Sequence, residues 1–437
     1  MISILILFFI SLFLILFLIK KRKSLYKYDV KKDYIYDMKS ANWVFDINIQ
    51  DNNMICSIKN IKYDTAILDV NIASTLLGKI KQPYIIIKQG ENKFSQYFEY
   101  GAKGKRYLNI PNCINFEDAI QLETYNCNII KQYGKLFIFN NEINLNGNIC
   151  IIAPHPDDAE IAAYGLYSSC KNVNIITVSA SESGKVMYKD FSLKTKEQLL
   201  LKGIRRTVDS ITVPLIASVK PDSCINYGYY GCTLEELYNN KDEITPNIKI
   251  HKNTFRKLNV ITDILKNDFN LSWKSLVDDF KYTLSKINVN IIVLPHPILD
   301  SHSDHKYTTK AVLEALKELN IKDMKILFYI NHNKLSESYP YGNEGSLIPF
   351  PPNFLNSLQL KSVYSRTLNS KAQIEKAIAL ESMSILRPYF PWQKASTIVN
   401  RVFKNKMNKI YGKRLDYFSR SVRSNELFFV FDLEDII

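Results

Sequence analysis

No cysteine in this chain belongs to a C-x-x-C pair, and the seven present, at 56, 113, 127, 150, 170, 224 and 232, are odd in number and scattered. That excludes a disulfide framework and a thiolate zinc site; each cysteine reads as a small buried hydrophobe kept reduced. Internal repeats and low-complexity tracts are also missing. With 46% hydrophobic and 23% charged residues, the 437-residue chain has the composition of a globular protein and room for two domains plus appendages. A net charge of +14 raises nucleic acid as a partner, but no recognition motif and no concentrated basic-aromatic stripe accompanies it. The charge suits a body near an anionic leaflet, or one that handles acidic substrates such as lipid pyrophosphates.

Histidine is scarce, with six in all, and three of them, His296, His302 and His305, crowd into ten residues. A fourth, His155, lies in Ile151-Ile-Ala-Pro-His-Pro-Asp-Asp158, where an apolar run of strand character breaks at Pro-His-Pro. Polar side chains then emerge at the carboxyl end of a strand, where open α/β sheets place ligand sites. His155 offers an imidazole and Asp158 a carboxylate, both ordinary ligands of zinc-like divalent ions. The adjacent carboxylates of Asp157 and Asp158 would resist joint ionisation unless a cation lies between them. One can then bind an ion while the other stays free as a general base, and catalytic sites keep three protein ligands so that a fourth position stays open.

The second segment repeats the pattern. Asn290-Ile-Ile-Val-Leu-Pro295 reads as a strand, and Ala311, Val312, Ala315, Leu316 and Leu319 recur with helical spacing, so His302 and His305 fall in the loop and helix start between. Three residues apart, they share a face of a helical turn; one can bind the ion while the other faces substrate. His296 reads as structural or as support for a ligand, and Asp304 as orienting a histidine or capping the helix. His251 and His332 read as a surface-loop residue and a satisfied histidine near a strand end.

At these residues, His-Pro-Asp-Asp (155–158) followed by Asp-x-His-x-Asp-His (300–305), the sequence resembles the PIG-L/LmbE family of metal-dependent N-acetylglucosaminyl deacetylases. The resemblance spans about residues 147 to 390. It implies that His155, Asp158 and His305 hold Zn2+, that Asp157 is the general base and that His302 steadies the oxyanion of the tetrahedral intermediate. A His-Asp-His set also accepts Fe2+ or Co2+. On the substrate side the resemblance points to Arg206, in Arg206-Thr-Val-Asp209 where the family has Arg-x-x-Glu, to Glu182 in the pocket-like loop Ser179 to Gly184, and to Asp304. Ala159 follows the Asp pair where relatives often carry Glu, and Glu160 comes one place later.

Ile2 to Ile19 carries no charge and is interrupted only by Ser3 and Ser11, long enough to cross a bilayer. No Lys or Arg precedes it and Lys20-Lys-Arg-Lys23 follows, which fits an uncleaved anchor better than a signal peptide or a buried core helix. The positive-inside rule puts the amino terminus outside and the catalytic body in the cytoplasm.

The expected organisation is an anchor with basic flank (1–23), a linker (24–40), a small β-sandwich-like domain (41–145) and a PIG-L/LmbE-like deacetylase domain (146–437) with a Rossmann-like, mostly parallel α/β sheet. The sandwich expectation rests on short apolar runs separated by Gly, Asn, Asp and Pro, with Gly101-Ala-Lys-Gly104 as a hairpin loop. Its aromatics Tyr97, Phe98, Tyr100 and Tyr107 read as core first and as a glycan surface second. The expected activity is removal of the acetyl group from an N-acetylated amino sugar, lipid-linked or a surface-polysaccharide precursor. Two other readings fit the same residues: a deacetylase of a soluble N-acetylglucosaminyl conjugate, and a glycan-binding scaffold without catalysis.

Overall fold

The structure is a computed structural model that describes residues 2–56, 58–59, 61–184, 193–240, 250–266, 270–355, 358–386, 395–412 and 417–436. It divides into two compact units, one comprising 1–142, 333–368 and 399–427 and the other 143–332, 369–398 and 428–437.

The first unit begins with α1 (Ile2–Lys23). Every residue from Ile4 to Phe17 except Ser11 is a large hydrophobic side chain that stands exposed. The window Ile4–Lys23 has a mean hydropathy of 2.7 and is long and apolar enough to cross a membrane. Nine strands follow: β1 (Trp43–Gln50), β2 (Asn53–Ile55), β3 (Thr65–Ser74), β4 (Tyr84–Gln89), β5 (Asn92–Tyr97), β6 (Lys103–Ile110), β7 (Ile120–Tyr125), β8 (Cys127–Ile129) and β9 (Tyr133–Phe139). They join in the order β5-β4-β7-β2-β1-β9-β3-β6, with β8 on β3, and their pairings are antiparallel. Ile47, Ile49, Met54, Leu68, Ile85, Ile87, Leu108, Leu122 and Leu136 bury into one shared core.

Residues 24–40, read from the sequence as a linker, are packed onto this sheet: Leu25, Tyr26, Tyr34, Tyr36 and Met38 are buried. Arg106 explains the order. Its guanidinium grips Glu99 through two parallel bonds, Nε to Oε2 at 3.1 Å and Nη2 to Oε1 at 3.0 Å, and also donates to the carbonyls of Val30 at 2.6 Å and Lys32 at 3.0 Å. Tyr34 and Tyr28 donate to Glu99 Oε1 at 2.6 and 2.9 Å. The hairpin expected around Gly101–Gly104 does not form, since β5 pairs with β4 and β6 with β3. Gly104, at φ +96, instead admits Asp33, whose Oδ1 would lie 2.2 Å from an added Cβ.

The second unit holds β10 (Asn148–Ala153), α2 (Asp158–Tyr167), β11 (Asn172–Ser179), α3 (Thr195–Thr212), β12 (Cys224–Tyr229), α4 (Leu234–Asn240), α5 (Asn253–Arg256), α6 (Trp273–Lys286), β13 (Ile291–Pro295), α7 (Ser303–Glu318) and β14 (Lys325–Tyr329). The chain then contributes β15 (Ser362–Thr367) to the first unit, α8 (Ser370–Ser382) to the second, and α9 (Ala395–Ile410) to the first from Val399 onward. It ends on β16 (Asn425–Asp432), which belongs to the second unit from Phe428 onward. Within this unit the sheet runs β12-β11-β10-β13-β14-β16. β10 and β13 are apolar and buried almost throughout, as strands covered on both faces must be.

The expected fold class is corrected on both counts. The strands from 43 to 139 do not separate into the two sheets of a sandwich; β9 pairs with both β1 and β3 and joins them into one antiparallel sheet. The second sheet is mixed and not Rossmann-like, because β16 enters antiparallel to β14 with Lys325 opposite Asp432 and Phe328 opposite Phe429. Among the described residues no single crossover helix links β14 to β16: the intervening chain belongs to the first unit at 333–368 and 399–427 and to the second at 369–398, so the parallel direction is not imposed on that strand.

Glu99→Ala leaves Arg106 buried without its counter-charge, which costs about 3–5 kcal/mol. The expected result is faster hydrogen exchange of β6 and loss of protection in residues 28–34; unchanged exchange in both would show that the pair does not hold this segment.

Candidate metal centre

The two histidine-bearing segments meet at the carboxyl ends of adjacent parallel strands, β10 and β13, which are paired through Ile149–Ile151 and Ile291–Val293. After β10 the carbonyl of Pro154 is held by Ser179 N at 3.1 Å and Ser179 Oγ at 2.9 Å. That fixes the exit of the loop carrying His155. Asp157 ends the loop at φ 147, ψ −21, an unusual backbone for a residue with a side chain, and α2 begins at Asp158. On the other segment, Asp300 Oδ1 accepts from the His302 amide at 3.0 Å, and His302 is the N-cap of α7, which carries His305 in its first turn.

Three donor atoms converge. His155 Nδ1 lies 3.0 Å from Asp158 Oδ2, His305 Nε2 lies 3.1 Å from the same oxygen, and the two nitrogens are 3.3 Å apart. Ligands about 2.0–2.1 Å from a tetrahedral ion are separated by about 3.3 Å, so this triangle has the dimensions of three corners of such a site. Each imidazole is oriented from behind by a carboxylate: His155 Nε2 by Asp304 Oδ2 at 3.0 Å, and His305 Nδ1 by Asp300 Oδ2 at 3.1 Å. Carboxylate–histidine–metal relays have this form, which fixes the tautomer and raises ligand basicity. The carboxylates are themselves tied down. Asp304 accepts from the amides of Cys232 at 2.7 Å and Leu234 at 3.3 Å, and Asp300 from those of Asn331 at 3.0 Å and His332 at 3.1 Å. Asn331 Nδ2 donates to Asp158 Oδ1 at 2.8 Å, leaving Oδ2 for the cluster.

The remaining residues divide by environment. Asp157 is not drawn into the triangle; its Oδ1 meets Arg206 Nη2 at 3.2 Å, and the same nitrogen donates to Pro156 O at 3.1 Å. Burial pushes its carboxyl up to about 6, with repulsion from Asp158 adding to this and Arg206 opposing it. For Asp158 burial also raises the pKa, but His305 and His155 outweigh it and hold the carboxyl well below the usual range. His302 is half-buried, its ring 4.7 Å from His155 and 4.9 Å from His305, and its Nδ1 is buried without a hydrogen-bond partner among the described residues. Burial, then the neighbouring imidazoles, lowers its pKa to about 4, so the ring is neutral. His155, His302 and His305 offer ligand atoms within 4.8 Å of one another, as do Asp158, His305 and His332. The residues present fit a divalent ion.

Among the candidates for the substrate side, Arg206 is engaged with Asp157 and Asp304 with His155. Glu182 is buried, accepts from the Gly231 amide at 3.3 Å and has its carboxyl pushed up to about 7, by burial first. His296 builds the turn after β13: its Nδ1 faces the amides of Ile298 and Leu299 at 3.2 and 3.3 Å, and it holds no place in the triangle. The sequence reading missed His332, whose ring lies 5.0 Å from that of His305 and 5.3 Å from that of His302. The signal was there. It follows β14, the next strand of the sheet, at its carboxyl end, the position that marked the other histidines.

No family model matches this chain, and no curated protein matches it. Among solved structures it is similar to the A40926 pseudoaglycone deacetylase Dbv21, with 13% identity, 66% of this chain and 98% of that chain covered, and a TM-score of 0.34. It is also similar to a family two carbohydrate esterase from Cellvibrio japonicus, with 7% identity, coverage of 69% and 88%, and a TM-score of 0.18.

Asp300→Asn and Asp304→Asn should each weaken divalent-ion affinity by about 10- to 100-fold, the usual effect of losing a carboxylate behind a ligating histidine. Competition against a chromogenic chelator measures it. Wild-type affinity in both variants would mean that the triangle does not bind the ion.

Proposed function

We propose that this chain is a metal-dependent amide hydrolase of the PIG-L/LmbE type that removes the acetyl group from an N-acetylated amino sugar. The observation that carries this reading is the convergence of His155 Nδ1, Asp158 Oδ2 and His305 Nε2 within 3.0 to 3.3 Å, beside a second carboxylate, Asp157, that stays outside the triangle. These three residues would hold Zn2+, Fe2+ or Co2+, and a bound ion supplies Lewis acidity toward water and the acetyl carbonyl.

The chain's own groups do the rest. Arg206 fixes the Asp157 carboxylate, leaving Oδ2 to take a proton from the water that attacks the acetyl carbon. His302, whose Nδ1 has no hydrogen-bond partner among the described residues, donates to the oxygen on which negative charge develops. As the tetrahedral carbon collapses and the C–N bond breaks, Asp157 returns its proton to the departing amine, giving acetate and the free amino sugar.

The substrate class follows from the motif resemblance. The apolar helix α1 supports a lipid-linked sugar or a surface-polysaccharide precursor as the acceptor. The basic run Lys20–Lys23 at its carboxyl end supports an anchor with the amino terminus outside and the catalytic body in the cytoplasm.

Asp157→Asn keeps the shape and the three donors, so the variant should bind metal as the wild type does while losing nearly all turnover. Amine release from a panel of free and lipid-linked N-acetylglucosamine conjugates, with and without chelator, is the measurement. Strong residual release by Asp157→Asn would remove Asp157 from the base role, and chelator-insensitive release by the wild type would end the metal reading.

A further inference from the structure

The first unit carries a second exposed apolar element besides α1. On α9, Val399, Phe403 and Ile410 are 64%, 66% and 50% exposed. At intervals of four and seven residues they lie along one helical face. Lys404 and Lys406 are exposed beside them, and the segment 395–410 contains four Lys or Arg and no Asp or Glu. An apolar stripe on a helix that is otherwise basic is the composition of helices that lie in the headgroup layer of a bilayer.

The neighbour of this face indicates what covers it. Arg22 Nη2 donates to the carbonyl of Ile410 at 3.1 Å, and the rings of Phe17 and Tyr411 meet edge-on with centroids 6.2 Å apart. These contacts hold the carboxyl end of α9 against the last turns of α1, where the exposed apolar run ends at Phe17 and the basic run Lys20–Lys23 begins. Arg22 also stacks over Tyr100 at 4.6 Å, so the junction is fastened to the unit's sheet segment. A bilayer that takes up α1 has its water boundary at this level, which is where α9 is attached. We propose that α9 is a second membrane-contacting helix, lying in the headgroup layer of an anionic leaflet with Val399, Phe403 and Ile410 toward the acyl chains; this rests on reading α1 as a membrane span. Lys406, three residues after Phe403 and on the same face, reaches up to the lipid phosphates with its long stem, and Lys404 lies to the water side; each adds to the attraction of an anionic surface. An apolar groove on a protein partner or a second copy gives no reason for a helix with basic residues and no acidic one.

The test uses the full chain in lipid nanodiscs, one set containing phosphatidylglycerol and one phosphatidylcholine alone, followed by hydrogen exchange with mass spectrometry. The expected result is that amides of α9 exchange at least about tenfold slower in the anionic discs, given the contribution of each basic residue near such a surface. Val399→Asp combined with Phe403→Asp should abolish the difference. Equal α9 exchange in the two lipids while α1 remains protected overturns the proposal and leaves the span intact. Slowing that grows with protein concentration, or that persists in detergent, assigns the face to protein contact and likewise overturns it. An unprotected α1 in both discs removes the span itself and this inference with it.

Discussion

The second unit depends on an electrostatic problem at the ends of β10 and β13. Asp157, Asp158, Asp300 and Asp304 are all buried there, each less than a tenth exposed. Four carboxylates out of water repel one another and lose solvation, so they stay ionised only where cations answer them. Arg206 answers Asp157. The other three face His155 and His305, whose pKa values are raised against the burial that would lower them: Asp158 and Asp304 outweigh it at His155, and Asp158 and Asp300 at His305. Protons on those rings can balance the charge. A divalent ion among the three donors can do the same, and its binding would release protons because the ligand nitrogens must be free to coordinate. The same cluster is therefore a structural knot whose donors could hold either protons or a divalent ion.

That constraint also separates two neighbouring residues of one kind. Asp158 is the first residue of α2, and its oxygens are shared between Asn331 and two imidazoles. Asp157 sits one position earlier in a backbone conformation that costs about 1–3 kcal/mol for a residue with a side chain. The φ of 147 turns its carboxylate away from the histidines and toward Arg206 on α3. Environment thus gives one carboxylate a low pKa and the other one near about 6. Paired acids pushed apart in this way are the usual basis for dividing binding from proton transfer.

Much of this centre was legible in the sequence because its logic is local. Apolar runs that stop at Pro-His-Pro-Asp-Asp, and again at Asn290 to Pro295 before the histidines, announce strand ends, and the residue types announce ligands. His332 escaped because it stands alone, with no second ligand type beside it; only the pairing of β14 with β13 brings it to the others. The fold was harder to read for a related reason. Alternation along β1 shows that one face is buried, but it does not say that β9, more than eighty residues later, is its partner. Nor does the apolar run Phe428 to Phe431 state its direction. Between His332 and Phe428 the chain passes to the first unit, back to the second at 369–398 and to the first again, so β14 and β16 are not joined as a simple strand–helix–strand unit and the rule that makes such units parallel has no hold on β16.

The first unit turns on a comparable knot of a different kind. Arg106 and Glu99 are buried and joined by two hydrogen bonds, and on balance such a pair adds little net stability by itself, since desolvation offsets attraction. What the pair gains is specificity: the guanidinium still has donors left, and the backbone carbonyls of Val30 and Lys32 take them, while Tyr28 and Tyr34 satisfy the carboxylate. Tyr26, three residues beyond the end of α1, adds a bond by accepting from the amide of Tyr100 at 2.9 Å. The chain emerging from α1 is consequently not a tether of adjustable length. It is bonded to the sheet almost from its first residue, and the ends of α1 and α9 meet at the same place, where Arg22 reaches both the Ile410 carbonyl and the Tyr100 ring.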